Sequence, residues 1–127
     1  MKEKITLEYP VNSTAGSLFA RLSTASGLRG WFADDVKTEG ERGFVFFWGK
    51  VSQRAVLEAK KANRYIRFRW ADVHGPEGCF GFRIFSSELT GELSLEVTDY
   101  AEPEDREDLI FLWNTNIKRL RHNLGAG

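Results

Sequence analysis

Between Gly43 and Thr98 the chain alternates apolar and polar residues in segment after segment. From about Glu104 to Leu124 it changes to a helical period. Strand and helix periods place side chains differently, two faces in one case and one stripe in the other. Tyr65 to Trp70 shows the first pattern most clearly, with Ile66, Phe68 and Trp70 on one face and Tyr65, Arg67 and Arg69 on the other. Gly43 to Gly49 puts Phe44, Phe46 and Trp48 on one face and Val45 and Phe47 on the other. Ser52 to Lys60 aligns Ala55, Leu57 and Ala59. Phe80, Phe82 and Ile84 align in the next segment, and Leu93, Leu95 and Val97 in the last. Turn clusters at Ala62-Asn63-Arg64, His74 to Gly78 and Glu88 to Gly91 separate them. Consecutive strands with short turns pair as an antiparallel meander. Its apolar face must be covered.

The helical segment supplies the cover. Leu109, Ile110, Trp113, Ile117, Leu120 and Leu124 fall within about 100° of the helix, a core-facing stripe. Glu104, Asp105, Glu107 and Asp108 stand at its start and Lys118, Arg119, Arg121 and His122 at its end, in the sense that suits the helix dipole. Gly125 suits the position just past its end.

Upstream, Lys4 to Tyr9 alternates with Ile5, Leu7 and Tyr9 inward, and Pro10 ends the strand or marks an edge. Ser13 or Thr14 offers an N-cap for a helix carrying Leu18, Phe19 and Leu22. A short helix around Gly27 to Phe32 then presents Leu28, Trp31 and Phe32 together. Asp35 to Thr38 opens the strand series. The order strand, helix, helix, about six strands, long helix predicts an α+β domain, one domain over residues 1–127.

Lys plus Arg and Asp plus Glu both number 18, which argues against a broad nucleic-acid footprint and against strong adhesion to anionic membranes. No apolar run reaches the roughly 18 residues of a membrane span, and the N-terminus shows no signal-peptide pattern. A single cysteine, Cys79, allows no internal disulfide and fits a reducing compartment. These features predict a cytoplasmic protein. The two histidines, His74 and His122, and Cys79 have no zinc spacing, so no metal is expected. Phosphate-cradling glycine loops and the Gly-x-Ser-x-Gly nucleophile turn are absent. No cofactor and no catalytic residue is assigned.

The block Ser23 to Val36 resembles the second helix of the START-like, Bet v 1-like (SRPBCC) superfamily, in the Hsp90-activator homology branch. Phe46-Phe47-Trp48, Arg67-Phe68-Arg69-Trp70, Thr98-Asp99 and Trp113 extend the likeness from Ile5 to Leu124. It is similar above all to a bacterial START-like family without an assigned activity. The resemblance implies a helix-grip fold, an antiparallel sheet of about six to seven strands wrapped around a long C-terminal helix, with two short helices after the first strand. It also implies a cavity bounded by Trp31, Phe32, Trp48, Phe68, Trp70, Phe82, Trp113 and Ile117. Relatives bind lipids, sterols or plant hormones, cyclise polyketides or stimulate the Hsp90 ATPase. One fold hosts many activities, so only the pocket geometry carries over.

Aromatic residues make up 13% of the chain, and they either fill a core or line a cavity. A dry void of about 300 Å³ costs roughly 7 kcal/mol, so a pocket here is expected to be small, wet or occupied. The leading reading is a non-enzymatic binding module for a small hydrophobic or amphipathic ligand. The alternative is a protein-interaction module, chaperone-associated or homodimeric, using Phe111, Phe47 and Phe85 as outward-facing rings. A cyclase- or hydratase-type enzyme needs a polar pair facing the pocket, and none is evident. Asp34 and Asp35 read as a solvated helix end, and Asp99, which follows an inward-facing series at the end of the last strand, reads as a turn or capping residue with the pocket mouth as the alternative. Cys79 reads as a partly buried structural thiol.

Overall fold

The structure is a computed structural model that describes residues 1–125. Seven strands form one sheet: β1 (Glu3–Val11), β2 (Asp35–Glu39), β3 (Gly43–Trp48), β4 (Val51–Lys61), β5 (Tyr65–Trp70), β6 (Cys79–Ser86) and β7 (Leu93–Ala101). Every pairing is antiparallel, in the order β1-β7-β6-β5-β4-β3-β2. Six consecutive strands are therefore a plain meander, and only β1 joins out of sequence. Between β1 and β2 lie α1 (Ala15–Ser23) and α2 (Ala25–Leu28), and after β7 a single 3-10 turn leads into α3 (Arg106–Asn123). This is the α+β arrangement expected, with seven strands.

The core lies between the inner sheet face and the helices. Phe46, Phe68, Phe80, Ile66 and Leu95 from the sheet pack with Leu18, Leu22 and Leu28 from α1 and α2 and with Ile117 and Leu120 from α3. Thr14 caps α1, its hydroxyl accepting from the Ser17 amide, and Thr24 caps α2 by accepting from the Gly27 amide. Gly27 is where α2 presses on α1. A Cβ there would lie 2.0 Å from the Ala20 carbonyl oxygen, so no larger residue fits without parting the helices.

Four local readings of the sequence need correction. The short helix stops at Leu28 instead of running to Phe32, because Gly30 adopts φ +92° and turns the chain. Trp31 and Phe32 thus come from a turn, closed by the Gly30 amide donating to the Ala33 carbonyl. In β4 the register against β5 shifts between Leu57 and Ala59. This bulge at Glu58 turns Ala59 opposite the outward Arg67, away from the inner face that alternation predicts. β7 runs on to Ala101 because β1 pairs with it to the end, Ile5 opposite Asp99 and Glu3 opposite Ala101. Pro10 lies within β1 rather than ending it, which an edge strand tolerates.

Candidate functional site

Seventeen close ring pairs join the aromatic residues into one network under the helices. Phe32 links the sheet rings to α3, edge-on to Phe46 and Trp48 and stacked on Phe80 and Trp113. The turn that carries Phe32 is held at both sides. Trp48 Nε1 donates to the Phe32 carbonyl at 2.9 Å, and Trp31 Nε1 donates to the Arg21 carbonyl at 3.0 Å. Arg29 ties the turn to β2 through the Asp35 carboxylate and the Val36 carbonyl.

At one end of this network the packing opens. A cavity of about 290 Å³ lies between the sheet and the first half of α3. Phe32, Trp48, Trp70, Phe80 and Trp113 form its walls. Leu109, Leu112, Gln53 and Arg119 surround the mouth, the last three being exposed. The mouth admits water, so the cavity does not bear the cost of a dry void. Its volume is near the lower end of the range for small-molecule sites, about 300–1,000 Å³.

Of the eight residues the family resemblance places at a cavity, Phe32, Trp48, Trp70 and Trp113 line this one. Trp31, Phe68, Phe82 and Ile117 do not; each is buried in the filled part of the core. Phe80 is a wall that the sequence reading left among the inward strand residues.

Two polar residues complete the lining. Asp99 continues the inward series Leu93, Leu95, Val97 along β7, so it faces the cavity instead of capping a helix, as the sequence suggests. Its Oδ2 accepts from Trp113 Nε1 at 2.9 Å, and its Oδ1 accepts from the Tyr100 amide at 2.8 Å. Burial pushes the Asp99 carboxyl above its ordinary value, while those two donors and Lys2 pull it down. Asn116 is only 6% exposed. Its side chain makes no hydrogen bond among the described residues, yet none of its polar atoms is sealed off without a partner. The amide therefore opens onto the cavity. A signal for it exists in the sequence: Asn116 stands three residues after Trp113 and four before Leu120, on the buried face of α3. The expectation of no polar pair facing the pocket is thus corrected by Asp99 and Asn116.

The outer sheet face carries different chemistry. At the β4 bulge, Glu58 receives Arg67 Nε at 3.1 Å and Arg69 Nε at 2.8 Å, with Cys79 Sγ 3.6 Å away. Burial works to raise the Glu58 carboxyl, but the arginines prevail and hold it below its ordinary value. Burial, then the Glu58 charge, push the Cys79 thiol up, which suits an unreactive thiol. Phe47 and Phe85 are half-buried, each under a cation: Lys37 Nζ lies 5.5 Å from the Phe47 ring and the Arg83 guanidinium 4.6 Å from the Phe85 ring. Phe111 is 72% exposed on α3, beside Leu112 at 53%. Asp34 and Asp35 serve the backbone, Asp34 accepting from the Gly49 amide and Asp35 from the Val36 amide.

An antiparallel sheet folded about a long final helix, with a cavity between them, defines a helix-grip protein. The chain belongs to the START-like superfamily domain family, whose model matches residues 1–126. The solution structure of a Bacteroides fragilis protein is 37% identical, with a TM-score of 0.68 over 96% of this chain and 90% of that one. The Aha1 dimer from Colwellia psychrerythraea gives a TM-score of 0.76 at 14% identity, covering 96% of both chains. DynU16, from the dynemicin biosynthetic locus, gives 0.79 at 15% identity over 98% of this chain and 48% of that one. The last two show the fold alone. No curated protein matches the chain. Among the described residues, no helix is long and apolar enough to cross a membrane.

Proposed function

We propose that the protein is a binding module for a small, planar, largely apolar molecule with one polar end, held between the sheet and α3. The observation that carries this reading is the unpartnered Asn116 amide facing an aromatic cavity. The amide opens onto the cavity, so the polar end of a bound molecule can pair with it in place of water. The volume suits a single or fused ring. Trp48, Trp70 and Phe80 supply stacking surface. Cys79 as a lone thiol fits a cytoplasmic setting.

Native mass spectrometry of gently purified protein tests this, with a panel of one- and two-ring aromatics added to stripped protein. A bound mass that disappears on denaturation, and that Trp70→Ala weakens far more than Arg83→Lys, is the expected result. Equal losses from both folded variants, or no binding across the panel, contradict it.

A second reading rests on a different surface. Phe111 and Leu112 expose two adjacent apolar side chains on α3, and one structure of the same fold is a dimer. Self-association through this face is expected to be abolished by Phe111→Glu in sedimentation equilibrium. A wild-type chain that sediments as a monomer at high concentration counts against it.

A further inference from the structure

The cavity has a charge as well as a shape. Asp99 puts a carboxylate among aromatic walls, and it forms no ion pair among the described residues. Buried or half-buried carboxylates usually sit beside a cation. Asp99 instead receives two neutral donors, the Trp113 indole and the Tyr100 amide, one on each oxygen. Each oxygen keeps a lone pair free. The charged groups nearby are Lys2 and, at the mouth, the exposed Arg119. Neither pairs with the carboxylate, and water screens a cation at the rim.

Three features of the lining converge on one kind of group. Ring faces attract cations through their quadrupoles, and aromatic cages are a general means of holding ammonium groups. A carboxylate adds the opposite charge. The Asn116 side-chain oxygen, which receives no donor among the described residues and opens onto the cavity, can accept an N–H. We infer that the polar end of the ligand is an ammonium: the cavity takes a small aromatic or cyclic amine, with Asp99 holding the charge, Asn116 accepting one N–H, and Trp48, Trp70 and Trp113 packing on the body. This rests on the reading of the cavity as a ligand site and adds the sign of the charge.

Three probes of nearly the same shape separate the ideas: benzylamine, benzyl alcohol and benzoate, titrated calorimetrically at pH 7 into the full chain. Benzylamine is expected to bind about tenfold more tightly than benzyl alcohol, with benzoate weakest. Asp99→Asn is expected to remove the preference for the amine while benzyl alcohol still binds. Should that variant not fold, Asn116→Leu leaves the carboxylate in place and is expected to weaken the amine several-fold. Equal binding of amine and alcohol overturns the inference and leaves the cavity reading standing. Preference for benzoate, or an amine preference that survives Asp99→Asn, also overturns it. Binding of none of the three overturns both.

Discussion

The two halves of the aromatic interior are built from the same residue types and end in opposite states. Under α1 and α2, Trp31, Phe68 and Phe82 are enclosed by Leu18, Leu22, Leu28 and Ile117. Under the first half of α3, Trp48, Trp70 and Trp113 border an open cavity. The closed half is covered by α1 and α2, and Gly27 lets those two helices pack tightly on each other. Over the open half lie α3 and the turn that carries Phe32, and there Asn116 stands on the buried face of α3 where an apolar residue would fill the space. Ring content alone does not separate a filled core from a binding site. The packing of the covering elements, and a polar residue on a buried stripe, do.

The largest expected effect breaks the closed half. Phe68→Ala removes a fully buried ring from a filled region, and a loss of about 3–5 kcal/mol in urea unfolding is expected. Trp70→Ala truncates a ring that is only partly enclosed, so roughly half that cost is expected, together with loss of ligand binding. Asn116→Leu sharpens the contrast in the other direction. It puts an apolar side chain on a buried stripe in place of an amide open to the cavity, so the unliganded protein should be unchanged or up to about 1 kcal/mol more stable, with amine binding weakened several-fold. A ligand site that trades stability for function predicts this sign, and a merely loose core predicts no effect on binding.

The smallest effect is in the pH dependence. The Asp99 carboxyl is raised by burial, so its contribution to stability is fully present below the unfolded carboxylate value, about 3.9, and declines as pH rises through the folded value. Asp99→Asn lacks this titration. Its stability relative to the parent chain should therefore improve as pH rises from below the unfolded carboxylate value through the raised folded one. The carboxylates Asp35, half-buried, and Glu39, exposed, act in the opposite sense. Asp35 is lowered by the Val36 amide and Arg29, and Glu39 by Arg54, so what they contribute is lost as pH falls. Both are common to the two chains and cancel in the difference. A gap between the chains that does not change with pH contradicts the burial of Asp99.

Much of the fold was legible because alternation and helical stripes report burial directly. Ile66, Phe68 and Trp70 point inward as their spacing requires, and Trp113, Ile117 and Leu120 face the sheet. The less legible parts depended on contacts distant in sequence. Asp99 looked like a turn residue because nothing local shows that β1 extends β7 past it. Glu58 looked like an ordinary outward strand residue, since a bulge leaves no mark in an alternating segment. The cavity itself depends on how far α3 and the turn at Gly30 stand from the sheet, a distance that periodicity does not encode. Asn116 was missed although it leaves a mark, a polar residue at the edge of an apolar stripe.

The most direct test uses the four tryptophans as reporters in one experiment. Their indole N–H resonances can be followed in a ¹⁵N-resolved spectrum while benzylamine is added. The account predicts that Trp48, Trp70 and Trp113 shift together to one saturating value, and that Trp31, tied to the Arg21 carbonyl in the closed half, stays in place. If Trp31 moves as much as the others, or if none of the four moves, the division into a closed core and an open site is wrong.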